Sequence, residues 1–195
     1  EFRRVLFRSK EKAGKYIDFL NANAYDKERD VRTNIAGEFQ KSNLAAALQT
    51  AELICGRLDE DKIYEALSQI RISGRMEEIA PGIIVDVSHN IQGMQGFVQT
   101  VEANYHGMKK RILFAASHQN EEEYMKNILK TIPEIEAFYT VGIHKRRINE
   151  AEFQDAFRKM IDRNQETTVC FVVGSFYLAG MAKEFINQEE ENVRL

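Results

Sequence analysis

The sequence predicts an α/β fold in which a mostly parallel β-sheet carries helices on its faces. From Gly74 onward, apolar runs of strand length alternate with segments whose apolar residues recur at helical spacing. The runs are apolar at consecutive positions, which is typical of strands buried on both faces and joined by helical crossovers. We therefore predict a Rossmann-like domain over residues 74–195.

Four strands and four helices are expected in this domain. The strands are predicted at 82–87 (GIIVDV), 111–116 (RILFAA), 136–142 (EAFYTVG) and 167–175 (TTVCFVVGS). The helices are marked by four apolar repeats: Ile91/Met94/Val98/Val101, Tyr124/Met125/Ile128/Leu129, Phe153/Ala156/Phe157/Met160 and Leu178/Met181/Ala182/Phe185. The charged run 144–150 is predicted to be a solvated loop and helix start, and the acidic tail from 187 is expected to fray.

Residues 10–73 show a different, mixed pattern. Residues 16–37 predict two strands, a hairpin around a polar turn at 26–30. Two helices follow; the first has Ser42 as a candidate N-cap, and the second begins after the acidic residues 59–61. Their apolar faces are Leu44/Ala47/Leu48/Ala51/Cys55 and Ile63/Ala66/Leu67/Ile70. The change of rhythm places the boundary between Ser73 and Gly74.

The first nine residues, EFRRVLFRS, are excluded from the predicted fold. They resemble the translation of a sequencing-library adapter, and they do not begin with Met. The alternative is a basic strand or helix of the native protein. On the adapter interpretation, we expect native sequence to be missing before Lys10.

Composition argues against several classes of protein. A net charge of −3 with acids and bases interleaved disfavours a broad nucleic-acid surface, and the apolar runs are too short to span a membrane. Cys55 and Cys170 lie in apolar patterns without metal-ligand spacing, so we expect buried thiols in a reducing cytoplasm. No G-x-G-x-x-G follows a predicted strand, which disfavours a dinucleotide-binding oxidoreductase.

Polar side chains follow two of the predicted strands. Asp86, Ser88, His89 and Asn90 come after the first strand of the domain, and Ser175 comes after the last. Ligands of open parallel sheets bind beyond the carboxyl ends of the strands. A carboxylate there can accept both hydroxyls of a ribose, whereas a hydroxyl, an imidazole and a helix N-terminus can hold an anionic group.

Each of these residues also has a purely structural interpretation. Serine, aspartate and asparagine are favoured helix N-caps, so any of them could serve only to satisfy amides at a helix start. Arg75 could be a surface ion-pair partner, and Asn43 could be an N-cap or a solvated helix residue. From the residues alone, the sequence predicts a nucleotide-sized crevice without a defined reaction.

Four segments of the chain match, in order, the motifs of one family. GEFQKSNLAAAL (37–48) resembles G-x-[HF]-Q-x-x-N-a-x-x-A, and GRMEEI (74–79) resembles G-R-[MF]-E. IIVDVSHN (83–90) resembles a strand ending in D-G-A-H-N, and VVGSFYLAG (172–180) resembles G-S-[LF]-Y-L-x-G. These motifs resemble those of the folylpolyglutamate synthase / dihydrofolate synthase branch of the Mur ligase superfamily.

The resemblance implies that residues 10–73 are the C-terminal end of a central ATPase domain and that residues 74–195 form the Mur ligase C-terminal domain. It also implies a reaction in which ATP phosphorylates a carboxylate and the amine of glutamate displaces the phosphate. The implied partners are small molecules: ATP, glutamate, and a folate or dihydropteroate. Mg²⁺ is implied as a cofactor whose ligands lie outside this segment. A monomeric cytoplasmic enzyme without nucleic-acid or membrane partners is expected.

The resemblance also assigns roles to five residues. Asn43 would contact the adenine, Arg75 an ATP phosphate and Asp86 the ribose hydroxyls, while His89 and Ser175 would place the incoming amino acid. A guanidinium suits phosphate oxygens and a carboxylate suits a diol. No residue is assigned as catalytic.

The chain departs from the family pattern in three places, and the first two favour an alternative. Val87-Ser88 replaces Gly-Ala, and Ile91 replaces the usual proline. The segment 116–124 (ASHQNEEEY), which includes Ser117–Asn120, replaces an Asp-Lys-Asp element. The phosphate loop is absent, so we expect no ATP turnover by this chain alone. The alternative is an inactive or divergent relative that serves as a binding or regulatory module.

Overall fold

The computed structural model describes residues 38–56, 58–70, 72–117, 119–144, 147–162 and 167–194. The main division between its two compact units falls between Ser68 and Gln69. The hairpin predicted within 16–37 lies outside the described residues. Assignment of the two parts to a central and a C-terminal domain stays a prediction. Within the described residues, no helix has the length and apolar character that a membrane span requires.

The first unit contains two helices, α1 (Glu38–Cys55) and α2 (Glu60–Gln69). The N-cap prediction for Ser42 is wrong, because α1 begins at Glu38 and Ser42 lies inside the helix. α2 begins at Glu60, within the acidic residues 59–61 after which it was predicted to begin, and Asp59 Oδ1 accepts a hydrogen bond from Lys62 N at 3.2 Å.

The second unit is built on a five-stranded sheet with the order β1-β2-β7-β3-β4. In chain order its elements are β1 (Glu77–Ala80), β2 (Ile83–Asp86), α3 (Ile91–Asn104), β3 (Lys109–Phe114), α4 (Glu122–Leu129), β4 (Ile135–Thr140), β5 (Ile143–His144), β6 (Arg147–Ile148), α5 (Glu150–Ile161), β7 (Thr168–Val173) and α6 (Phe176–Arg194). The four predicted strands are β2, β3, β4 and β7, and they pair in parallel. The predicted α/β fold is confirmed.

The tail from residue 187 is not frayed as predicted, because α6 continues to Arg194.

Apolar side chains cover both faces of this sheet. Ile83 and Val85 point to one face, where they pack in a cluster with residues of α5 and α6. Ile84 points to the other face, in a cluster with residues of α3 and α4. This alternation explains why the strands are apolar at consecutive positions. The burial prediction holds for Cys170, in the first cluster, but is wrong for Cys55, which is exposed at the end of α1.

Two short elements were not predicted. β1 is an antiparallel edge strand beside β2, with a register shift between Glu78 and Ala80, and two of its four residues are acidic. β5 and β6 pair as a separate hairpin within the charged run. The helix start in that run is confirmed, since Asn149 Oδ1 caps α5 by accepting from Glu152 N at 3.1 Å.

The order of the strands creates a switch point on each side of β7. The helices that follow β2 and β3 pack on one face, whereas α6, which follows β7, packs on the other. Connections that diverge to opposite faces leave a crevice at the carboxyl edge of such a sheet. Gly174 makes the turn out of β7 with φ of 109°, and a Cβ there would lie 2.6 Å from Ala115 O. Only glycine fits this turn without displacing backbone.

Candidate functional site

The candidate site lies at the carboxyl ends of β2 and β7. Asp86, the last residue of β2, pairs in register with Val173, the last residue of β7. Ser175 follows two residues later, after the Gly174 turn. The two predicted polar segments, although almost 90 residues apart in sequence, therefore lie on neighbouring strands.

Asp86 is buried, with 2% of its surface exposed, and both its carboxylate oxygens accept backbone hydrogen bonds. Oδ1 accepts from Ser88 N at 2.8 Å, and Oδ2 accepts from Met76 N at 3.1 Å. Asp86 therefore joins the end of β2 to the turn that carries Arg75. Each oxygen retains a second lone pair that can accept from a ligand.

The turn that carries Arg75 has an unusual backbone. Gly74 and Met76, on either side of Arg75, have positive φ angles of 74° and 45°. Gly74 O accepts from Val87 N at 2.8 Å, and a Cβ at Gly74 would lie 2.6 Å from Val87 Cγ1. Val87 thus occupies the space that the glycine leaves. Among the described residues, the guanidinium of Arg75 has no hydrogen-bond or ion-pair partner.

His89 contacts Phe176, the residue that follows Ser175 in the chain. The rings of His89 and Phe176 lie 5.7 Å apart with an angle of 47°. His89 Nδ1 donates to Val87 O at 2.9 Å, because a carbonyl can only accept. Ser175 Oγ accepts from Tyr177 N at 3.1 Å, so Ser175 caps α6 as its structural interpretation predicts. Its hydroxyl proton can still be donated to a ligand.

The first turn of α3 lies next to Asp86 in the chain. Asn90 caps this helix, since its Oδ1 accepts from Gly93 N at 2.7 Å. Ser88 is 1% exposed, and its Oγ has no hydrogen-bond partner in the described part of the chain. Ser88 Oγ would also lie 3.3 Å from a Cβ placed at Gly93. The hydroxyl is thus packed against the helix N-terminus.

Ser117, the first residue of the segment Ser117–Asn120 that departs from the family pattern, borders the same edge of the sheet. Ser117 Oγ lies 3.5 Å from Gly174 O, beside the turn that leads to Ser175. A single 3-10 turn, Gln119–Glu121, follows. The departure from the family pattern therefore falls at the site rather than on a distant surface.

Asn43 lies in α1, in the first compact unit. Its side chain is exposed, and its amide donates to Gln40 Oε1 at 3.2 Å. The predicted helical context of Asn43 is confirmed, while its contact with adenine stays a prediction. Across the described residues, no group of three or more His, Cys, Asp or Glu side chains could hold a metal ion.

Comparison with known proteins connects this geometry to one kind of enzyme. No family model matches the chain. A dihydrofolate synthase/folylpolyglutamate synthase of Bacillus subtilis is 23% identical over 109 residues, which cover 53% of this chain and 25% of the relative. The structure of E. coli FolC in complex with DHPP and ADP superposes with a TM-score of 0.69 and 16% identity, over 80% of this chain and 40% of that chain.

The folylpolyglutamate synthetase from Lactobacillus casei has a TM-score of 0.60 and 20% identity, over 79% of this chain and 39% of that chain. The fold is that of folylpolyglutamate synthase. The resemblance inferred from the four motifs is thereby confirmed at the level of the fold. The chain spans about two fifths of the solved folylpolyglutamate synthases that it matches and a quarter of the B. subtilis relative.

Within this folylpolyglutamate synthase fold, sequence reasoning missed three residues at the site. Phe176 is 60% exposed, although an aromatic residue at a helix start is usually assigned to the core. Glu77 and Lys183 form an ion pair beside the Arg75 turn, with 2.6 Å between Oε2 and Nζ. The G-R-M-E motif contained Glu77, but no local signal linked it to a lysine 106 residues further along the chain.

Proposed function

We propose that this chain is the C-terminal part of an ATP-dependent ligase that adds glutamate to a folate or a related carboxylate. One observation carries the proposal: in a sheet with the folylpolyglutamate synthase fold, the turn that carries Arg75 is hydrogen-bonded to Asp86 at the end of β2, and Ser175 follows the neighbouring strand β7. The solved relatives include FolC with DHPP and ADP, and a folylpolyglutamate synthase with AMPPCP and folate. These ligands support a nucleotide and a carboxylate acceptor as substrates.

The proposed reaction has two steps. The terminal phosphoryl group of ATP is transferred to the acceptor carboxylate, which gives an acyl phosphate and ADP. The amine of glutamate then attacks the acyl carbon, an amide bond forms, and inorganic phosphate leaves. Positioning and shielding from water dominate such catalysis, because the acyl phosphate is reactive once it forms.

The proposed roles divide between nucleotide and amino acid. Arg75 pairs with phosphate oxygens, Asp86 accepts from the ribose hydroxyls and Asn43 contacts the adenine. His89 and Ser175 place the incoming glutamate. Mg²⁺ would neutralise phosphate charge during the reaction, but the described residues offer no ligand set for it. We therefore assign no step of this chain to the metal.

The nucleotide role of Asp86 can be tested in the complete ligase. We predict that Asp86→Asn raises the KM for ATP on the order of tenfold, since hydrogen bonds to charged groups are worth ~1.5–3 kcal/mol. The KM for glutamate should stay unchanged. Asp155→Asn is the matched control, because Asp155 is exposed and, within the described residues, forms an ion pair with Lys159 one turn away on α5. An unchanged KM for ATP in Asp86→Asn would contradict the ribose assignment.

The proposed roles of His89 and Ser175 in binding glutamate can be tested through the KM for that substrate. Ser175→Ala and His89→Ala should raise the KM for glutamate and leave that for ATP unchanged. Ser175→Ala also removes the cap of α6, which costs ~1 kcal/mol of stability. Ser175→Thr keeps a capping hydroxyl and serves as the control for folding. If either alanine variant changed only the affinity for ATP, the substituted residue would have to be reassigned from glutamate binding to nucleotide binding.

A second candidate function is a binding or regulatory module without turnover. The observation that favours it is Ser117, which lies beside the Ser175 turn and begins the segment Ser117–Asn120 that lacks the lysine of the family pattern. Release of phosphate that depends on an acceptor and on glutamate would exclude this alternative. We further propose that the complete protein acts as a cytoplasmic monomer on small molecules.

A further inference from the structure

We infer that Lys183 and Glu77 are positioning residues that hold Arg75 available for a nucleotide phosphate. The inference rests on the proposed function, because it assigns the Arg75 turn to ATP. It concerns residues that the motif comparison gave no role.

The first step is the geometry of the contact between α6 and the Arg75 turn. Lys183 Nζ donates to Glu77 Oε2 and to Ser73 Oγ, each at 2.6 Å. Glu77 Oε2 also accepts from Gly74 N at 2.5 Å and from Ser73 Oγ at 3.3 Å. We call Ser73, Gly74, Glu77 and Lys183 the clasp. It fixes the start of the turn from the side of α6.

The second step is the anchor on the opposite side. Met76 N donates to Asp86 Oδ2, and Gly74 O accepts from Val87 N. The residues before and after Arg75 are therefore both tied to the rest of the domain. Met76 has a φ of 45°, a conformation that a residue with a side chain adopts only when its surroundings enforce it. The clasp and Asp86 together supply that enforcement.

The third step is electrostatic. Arg75 lies two residues from the Glu77 carboxylate, yet its guanidinium has no ion-pair partner among the described residues. Lys183 neutralises Glu77 from α6, so the carboxylate does not need the guanidinium as a counter-ion. Burial raises the pKa of Glu77. Hydrogen bonds from Lys183, Gly74 and Ser73, together with the charge of Lys183, outweigh that effect, so the pKa lies below its usual value. Glu77 therefore stays ionised and needs this cation.

Kinetics of the complete ligase test this role. Lys183→Met should raise the KM for ATP on the order of tenfold and leave the KM for glutamate unchanged, because Arg75 then pairs with Glu77. The double variant Glu77→Gln/Lys183→Met should recover part of the ATP affinity, since a neutral amide does not retain the guanidinium. Lys183→Arg should behave like the wild type.

Lys159→Met is the matched control, because Lys159 forms an exposed pair with Asp155 on α5. An ion pair with only a structural role predicts a different result: Glu77→Gln and Lys183→Met each lower stability, and the double variant loses less than their sum, but none of the three separates the KM for ATP from the KM for glutamate. That result would overturn the inference.

Amide hydrogen exchange in the present 195-residue chain gives an independent measurement. Lys183→Met should accelerate exchange at Gly74 and Met76 at least several-fold and leave Gly93, which Asn90 caps, unchanged. Unchanged exchange at Gly74 and Met76 would overturn the clasp. If the complete wild-type protein showed no ligase activity, the proposed function and the phosphate role of Arg75 would fall, while faster exchange in Lys183→Met would still support the clasp itself.

Discussion

Ser88 carries a buried hydroxyl against the first turn of α3, and the described residues offer it no hydrogen-bond partner. A buried polar group without a partner costs ~1–3 kcal/mol, so its removal should be favourable. We predict that Ser88→Ala raises the free energy of unfolding by ~1 kcal/mol, measured by denaturant titration. Ser175→Ala is the matched comparison and should lower stability, because the Ser175 hydroxyl accepts from Tyr177 N. A loss of stability in Ser88→Ala would contradict the prediction.

Single residues also show what could be predicted from the sequence and what could not. Asp86 and Ser175 were predicted because each follows an apolar strand, and the topology places those strand ends together. The structural interpretation and the ligand-binding interpretation do not exclude each other at Ser175, which caps a helix at the candidate site. Glu77 and Lys183 could not be predicted as partners, since each is an ordinary surface charge until the fold joins them.

At the scale of elements, a side chain from β3 stabilises the end of α5. Arg111 Nη1 donates to the carbonyl oxygens of Met160, at 3.0 Å, and Asp162, while Nε donates to Glu136 at 2.8 Å. The last carbonyls of a helix have no partner within the helix, so Arg111 supplies the missing donors. The hydrogen bond from Arg111 to Glu136 also raises the pKa of Arg111.

We predict that Arg111→Met lowers the free energy of unfolding by ~1–3 kcal/mol, because the carbonyl oxygens of Met160 and Asp162 lose a charged donor, although Met160 O still accepts from the weak donor Cys170 Sγ at 3.4 Å. Lys109→Met is the control. Lys109 also contacts Glu136, at 3.3 Å, but Lys109 is more exposed than Arg111, so its loss should lower the free energy of unfolding by less than ~1 kcal/mol. Denaturant unfolding of both variants measures the difference. Equal losses would show that Glu136, rather than the helix end, is the important partner.

The elements themselves differ in how far they could be predicted. β2, β3 and β7 are identified by apolar residues buried on both faces, and β4 by apolar residues that are partly buried against both clusters, so each strand carries the signal in its own residues. β1 is an edge strand with two acidic residues, and only its pairing with β2 makes it a strand. Local pattern therefore predicts the strands that are rich in apolar residues, including the outer strand β4, and misses the acidic outer strand β1.

At the scale of the whole molecule, the carboxylates of Glu77, Glu134 and Glu136 make the free energy of unfolding depend on pH. Hydrogen bonds from Lys110 lower the pKa of Glu134, and those from Arg111 and Lys109 lower the pKa of Glu136. The pKa of Glu77 is also lowered, as the clasp requires. In the unfolded chain these groups titrate near 4.5. Their ionised forms therefore favour the folded state, and protonation favours unfolding.

We predict that the free energy of unfolding is highest above about pH 5 and falls as the pH drops through the lowered pKa values of the folded state. Denaturant titrations between about pH 7 and pH 3 measure this dependence. A variant in which Glu77, Glu134 and Glu136 are replaced by glutamine should show a shallower decline. A wild-type stability that stayed constant over this range would contradict the linkage.

The two outer strands of the sheet differ from its centre in one further respect. β1 is four residues long, has a register shift and exposes Glu78, while β4 exposes Glu136 and Thr140. A strand from a second molecule that extended the sheet would meet a short, irregular margin on one side and a carboxylate on the other. Such margins protect natural sheets from aggregation. The acidic residues of β1, which kept it from being predicted as a strand, thus also disfavour pairing of this edge with a strand of another molecule.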